Sequence, residues 1–195
     1  MFWRIWISMN KVLMIIESHT QRAEFISTLD ILYRAGIQVD ICGKIEILQR
    51  GSEQIVGYDN SDLFERLSNN SYSAIIFPGG REGVKAVRDN FFNDPRCIDK
   101  LISLYNKGIL IAAICAAPSF LGEIGILKGK KFTCYPGFEG NHYDGTYLGE
   151  EIVVDGNLIT GRSMYFSADF GLEIVRYLLG VEMKEKIEKQ VKGIL

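Results

Sequence analysis

Short apolar runs alternate along the chain with longer amphipathic stretches, the signature of strands and helices taking turns. Lys11 to Ile16 reads Lys-Val-Leu-Met-Ile-Ile, an uninterrupted run of the kind that forms a strand buried on both faces. Thr20 is expected to cap a helix over 21–35 whose apolar positions are Phe25, Ile26, Leu29 and Leu32, with Gly36 as its stop. Ile37 to Cys42 predicts a second strand, and 48–58, around Gly51-Ser52, a small extended excursion. Tyr72 to Phe77 predicts a third buried strand that runs into Pro78-Gly79-Gly80. Asp94-Pro95 then opens a helix carrying Ile98, Leu101, Ile102 and Tyr105, which ends at Gly108. Ile109 to Ile114 is the fourth core strand and delivers the chain to Cys115. A short helix, a strand near Phe132–Cys134 and a loop rich in Gly and aromatics follow. Asp155-Gly156 between Ile-Val-Val and Leu-Ile predicts a hairpin over 151–160, and helices over 166–179 and 182–192 finish the chain.

Strands alternating with helices predict an α/β fold, a doubly wound, flavodoxin-like three-layer sandwich with a mostly parallel central sheet. The 195 residues suit one domain over 11–195, with neither repeat nor linker. Residues 1–10 stand apart. Phe2, Trp3, Ile5 and Trp6 surround Arg4, and Met9 sits just before the first strand. The stretch is too short for the hydrophobic region of a signal peptide. It is read as an N-terminal extension, either disordered or an artefact of start-site choice, with a packing or membrane-touching appendage as the alternative.

Composition narrows the function classes. A formal net charge of -2 and the absence of a basic run argue against nucleic acid or an anionic membrane as partner. The four cysteines, Cys42, Cys97, Cys115 and Cys134, form no C-x-x-C pair, and only His19 and His142 could join them. Neither a metal site nor a disulfide framework is expected, and reduced thiols in the cytoplasm are the default.

Ligands of doubly wound sheets sit beyond the carboxyl ends of the strands. Three features meet there: Glu24 in the first turn of the first helix, Pro78-Gly79-Gly80 after the third strand, and Cys115 after the fourth. Small residues flank the cysteine in Ala112-Ala113-Ile114-Cys115-Ala116-Ala117-Pro118, as a tight strand-to-helix elbow requires. A helix N-terminus beneath the sulfur favours the thiolate. Unencumbered N–H groups at Gly79, Gly80 and Ala116 suit a developing oxyanion. Each feature alone has a bland reading: a core thiol, a turn, a solvated carboxylate. Their conjunction at one sheet edge makes Cys115 a candidate nucleophile with Glu24 close to it.

In these motifs the chain resembles the ThiJ/PfpI superfamily, in particular its parkinsonism-associated protein-deglycase branch. Ala-Ala-Ile-Cys-Ala-Ala-Pro carries most of the resemblance. Phe77-Pro78-Gly79-Gly80, Arg34-Ala35-Gly36-Ile37 and Val154-Asp155-Gly156-Asn157-Leu158-Ile159-Thr160 match in order, so that it spans about residues 11–185. The resemblance implies a homodimer without a cofactor, with Cys115 as nucleophile, a protonated Glu24 hydrogen-bonded to it, and backbone donors from Gly79 and Gly80. It implies either a glyoxalase- or deglycase-like enzyme acting on small reactive carbonyls or glycated protein side chains, or a redox-sensing, chaperone-like stress protein that oxidises Cys115.

Several positions depart from the branch. Tyr135 stands where a histidine is common, and Ser163-Met164-Tyr165 replaces a Gly-Pro-Gly segment, although Arg162 remains. An arginine usual in the excursion aligns with Ser52, with Arg50 nearby. The implied pocket is bulkier and less basic. Peptidase relatives place His directly after the nucleophile, where this chain has Ala116, and related glutamine amidotransferases need a downstream His-x-Glu. The nearest element, His142-Tyr143-Asp144, comes early and in a loop, so a Cys-His-acid triad requires that loop to fold back. Tyr135, His142 and Arg162 are therefore carried as accessory candidates.

Overall fold

The computed structural model describes residues 10–43, 63–69 and 71–194. The N-terminal stretch before Asn10 and the excursion over 48–58 lie outside them. The elements run β1 (Lys11–Ile15), α1 (Arg22–Arg34), β2 (Gln38–Cys42), α2 (Leu63–Asn69), β3 (Ala74–Phe77), α3 (Arg81–Asn93), α4 (Pro95–Asn106) and β4 (Leu110–Ile114). Then come α5 (Pro118–Glu123), β5 (Lys131–Phe132), β6 (Thr146–Tyr147), β7 (Ile152–Asp155), β8 (Leu158–Gly161), α6 (Ser167–Leu179) and α7 (Val181–Val191).

The main sheet has strand order β2-β1-β3-β4-β8-β7. Its pairs are parallel except β7 with β8, which form the hairpin expected from Asp155-Gly156. The two-residue period of the strands divides their side chains between two cores. Leu13, Ile15, Ile75, Phe77, Ile111 and Ala113 face α2, α3, α4 and α5. Val12, Met14, Ile76, Leu110, Ala112 and Ile114 face α1, α6 and α7. This two-sided burial explains why the strands read as continuous apolar runs, and it makes the protein the flavodoxin-like sandwich the pattern predicts. On the first face Phe77, Phe91 and Phe120 form a tilted trio with centroids 5.0–6.0 Å apart. On the second, α1 and α6 approach closely at Gly171, where a Cβ would lie 2.9 Å from Ile31.

Local signals fare unevenly. Asp94 does cap α4, accepting the Arg96 N–H at 3.2 Å, with Pro95 in the first turn. Thr20 does not cap α1. Its hydroxyl accepts the Glu17 N–H at 2.9 Å and so closes the loop after β1, leaving Gln21 at the cap position. Helix α3 goes unread in the sequence. Its buried stripe is only Gly83, Val84, Val87 and Phe91, set among seven polar or charged residues that dilute the periodicity. The strand expected near Phe132–Cys134 is the two-residue β5, paired with β6 in a separate small sheet.

Candidate active site

The carboxyl ends of β1, β3 and β4 bring Glu24, Gly79-Gly80 and Cys115 together. Cys115 has φ 64°, a left-handed conformation that costs a non-glycine residue about 1–3 kcal/mol. The backbone is clamped there from both sides: its N–H donates to Gly161 O at 2.9 Å and its carbonyl accepts the Tyr135 N–H at 2.8 Å. The turn lifts the side chain off the sheet into a cleft, where the residue is half-buried. The other three cysteines, Cys42, Cys97 and Cys134, are buried.

Glu24 is 0% exposed, although it lies in the first turn of α1. Its Oε2 accepts the Gly79 N–H at 2.7 Å, and its other oxygen is buried with no hydrogen-bond partner of good geometry. Burial pushes its pKa up from 4.5 to about 7, against the opposing pull of Cys115 and of the Gly79 N–H. Burial, followed by the Glu24 carboxylate, pushes the Cys115 thiol up to about 12, while the N–H groups of Gly80 and Ala116 pull it down. Two such close groups titrate as a unit: one proton leaves the pair near 7 and the second only far above.

This geometry reassigns some expected roles. The Gly79 N–H is engaged by Glu24 and does not face the cleft; Gly80 and Ala116 present the donors that meet sulfur. Gly79 is required for space, since a Cβ would lie 2.6 Å from both Glu24 Oε2 and Ile114 O and 2.7 Å from Cys115 Cβ. Gly80, at φ 98°, has His19 O 2.7 Å from any Cβ, so the loop after β1 can pack directly on it. Helix α5 is only six residues long, which leaves individual N–H groups, rather than a large macrodipole, to stabilise charge on sulfur.

The cleft encloses about 410 Å³ and is lined by Gln21, Glu24, Gly80, Arg81, Cys115, Ala116, Tyr135, Phe138, Ser163, Met164 and Tyr165. Tyr135 thus reaches the site. His142 does not. It stacks edge-on against Tyr143 at 4.5 Å and lines a neighbouring groove, so no Cys-His-acid triad forms. Arg162 also turns away, donating to Gly149 O at 3.0 Å and lying 5.1 Å from the Phe166 ring centroid. Ser163-Met164-Tyr165 forms one wall, held by a hydrogen bond from Gln21 Nε2 to Met164 Sδ at 2.9 Å. Sequence reasoning passed over Gln21, Arg81 and Phe138. Arg81 could have been found from its place directly after Pro78-Gly79-Gly80, once α3 was recognised.

A larger cavity of about 600 Å³ between β7, α6 and α7 shares no residue with this cleft and contains no thiol. Among the described residues no group of three His, Cys, Asp or Glu side chains is placed to hold a metal ion, and no helix is long and apolar enough to cross a membrane.

The profile of the DJ-1/PfpI family matches residues 10–177. The chain is 34% identical over 189 residues to Protein dj-1beta of Drosophila melanogaster, covering 94% of this chain and 95% of that one. It is 31% identical over 185 residues to the Parkinson disease protein 7 homolog of Danio rerio, covering 91% and 94% respectively. Among solved structures, Drosophila melanogaster DJ-1beta superposes with TM-score 0.78 at 30% identity, over 93% of this chain and 97% of that one. Oxidized Toxoplasma gondii DJ-1 superposes with TM-score 0.76 at 26% identity, over 93% and 97%.

Proposed function

The chain belongs to the DJ-1/PfpI family, and from that premise we propose that it is a cofactor-independent, cysteine-dependent enzyme acting on reactive carbonyls. The observation that carries the proposal is the pairing of a left-handed Cys115 with an enclosed Glu24 whose pKa is pushed up to about 7. When the pair has lost one proton, the charge belongs on sulfur. Sulfur is half-exposed and has N–H donors from both Gly80 and Ala116, whereas the Glu24 carboxyl is wholly enclosed with one such donor. Glu24 then keeps its proton and directs it at the thiolate.

The thiolate adds to the aldehyde carbon of a 2-oxoaldehyde, forming a C–S bond. The carbonyl electron pair moves to oxygen, which takes the Glu24 proton, and the adduct is a hemithioacetal. The Glu24 carboxylate next removes the hydrogen on that carbon as a proton. The electrons pass through an enediol, the hydroxyl proton of the first carbon moves to the neighbouring oxygen, and Glu24 returns its proton to the neighbouring carbon. The resulting 2-hydroxy thioester is hydrolysed by water, releasing a 2-hydroxy acid and restoring the thiol. The same first addition on a glycated side chain would begin deglycation. No redox cofactor is required, because one carbon is oxidised as its neighbour is reduced. The reduced cytoplasm suits a free thiol of this kind.

A redox-sensing reading uses the same atoms and is favoured by the donors around sulfur, which would also hold sulfinate oxygens. A relative from Toxoplasma gondii is described as oxidized. The deciding experiment is methylglyoxal turnover by wild type and Cys115→Ala at matched concentration. Turnover that disappears with the thiol supports the enzyme. Absent wild-type turnover, together with a 32 Da gain on Cys115 under peroxide, supports the sensor.

We also propose a homodimer. Ile26 and Tyr33 on α1, 40% and 54% exposed, offer apolar surface beside the buried Phe25 and Leu32.

A further inference from the structure

Resting on the carbonyl-addition reading of Cys115, we infer that Arg81 makes this cleft selective for carbonyl substrates that carry a carboxylate a few bonds from the aldehyde. Of the described residues lining the cleft, only Glu24 and Arg81 bear ionisable acid or cationic groups apart from the thiol and the phenols. Glu24 is enclosed behind Cys115 and is neutral when it holds its proton. Arg81 is therefore the fixed charge among the described residues of the cleft, since a guanidinium does not deprotonate in proteins.

Its placement favours an anion on the substrate over a structural ion pair. The guanidinium lies over the Phe138 ring, 5.5 Å from the centroid, which holds its plane. No carboxylate pairs with it among the described residues. Arg81 lines both the cleft and the neighbouring groove, whereas the adjacent Glu82 lines only that groove. Arg81 and Cys115 line one cleft of about 410 Å³, which leaves room for an aldehyde carbon at Cys115 and a carboxylate at the guanidinium. Tyr135, Phe138, Met164 and Tyr165 line the span between with apolar surface, where a single charge-assisted bond discriminates more strongly than in open water. A planar carboxylate matches the guanidinium fork.

Two measurements test this, only one of which depends on turnover. The first compares alkylation of Cys115 by anionic iodoacetate and neutral iodoacetamide, in wild type and Arg81→Met, at low and high salt. The expected result is that the iodoacetate-to-iodoacetamide rate ratio falls about tenfold in Arg81→Met at low salt, and by less at high salt. An equal ratio in the two proteins overturns the inference. The second compares kcat/KM for 4,5-dioxopentanoate and its methyl ester. Wild type should prefer the acid by about tenfold, and the preference should vanish in Arg81→Met. Turnover of both compounds with no preference in wild type overturns the inference. If neither compound is turned over while the alkylation ratio still falls, the carbonyl chemistry fails and the anion subsite stands.

Discussion

Replacing Glu24 with Gln removes one titration and leaves the shape of the site. The amide oxygen can accept the Gly79 N–H that Oε2 now accepts at 2.7 Å, and the NH2 can donate to sulfur. In the wild type the unfolded chain loses the Glu24 proton near 4.5, whereas in the folded chain the Glu24–Cys115 pair loses its first proton only near 7. Between those values the native state binds more protons than the unfolded state, so stability falls as pH rises through the window and then levels off above 7. A carboxyl displaced from 4.5 to about 7 corresponds to about 3 kcal/mol. For a chain of this size that is a change of about 6–12 °C in Tm. The difference in unfolding free energy between Glu24→Gln and wild type, from urea titrations between pH 4 and pH 8.5, cancels the other ionisable groups. It should move by about 3 kcal/mol in favour of the variant across that range. Turnover of methylglyoxal should fall by at least ~100-fold in the same variant, because an amide cannot shuttle a proton, while Cys115 remains open to alkylation. Parallel stability curves for the two proteins would mean that Glu24 is an ordinary carboxylate and would refute the reasoning.

Cys115 should react with iodoacetamide before the other thiols, because it alone is half-buried and lines a cleft, whereas Cys42, Cys97 and Cys134 are buried. Mass spectrometry of a labelling time course at pH 7 checks this, and faster modification of Cys42, Cys97 or Cys134 would move the site elsewhere. Gly79→Ala should destabilise the protein by about 1–3 kcal/mol in urea denaturation and abolish turnover, since the new methyl meets Glu24 Oε2 and Ile114 O at 2.6 Å. Wild-type stability in that variant would show that the contact relaxes without cost. Sedimentation at micromolar concentration should give twice the 22.0 kDa chain mass, and a species of single chain mass would exclude the proposed dimer.

Much of this architecture is carried by local chemistry. Strands sandwiched between helix layers must be apolar at every position, so β1, β3 and β4 can be read directly from their runs. The hairpin follows from Asp155-Gly156 and the start of α4 from Asp94-Pro95, because both depend on neighbours a few residues away. The elbow is legible for the same reason: small residues on either side of Cys115 leave space for its left-handed backbone. The sequence places Cys115, Glu24 and Gly80 at one sheet edge as soon as the strand order is accepted.

Tertiary structure decided what those residues do there. Whether Glu24 is solvated or enclosed depends on Gly79, 55 positions away, and on Cys115, whose side chain meets it. Composition carries no information about that distance. His142 and Tyr135 were equal candidates along the chain, yet the Tyr135 N–H anchors to Cys115 O while His142 packs on Tyr143 in the next groove. Thr20 looked like a helix cap and became a loop closure, because an N–H three residues earlier competed for its hydroxyl. Arg81 was silent in a helix too polar to be noticed, and gained its meaning only when α3 was packed with its first residue in the cleft. Burial, pKa and which groove a side chain enters are properties of contacts between distant segments, and those contacts exist only in the folded chain.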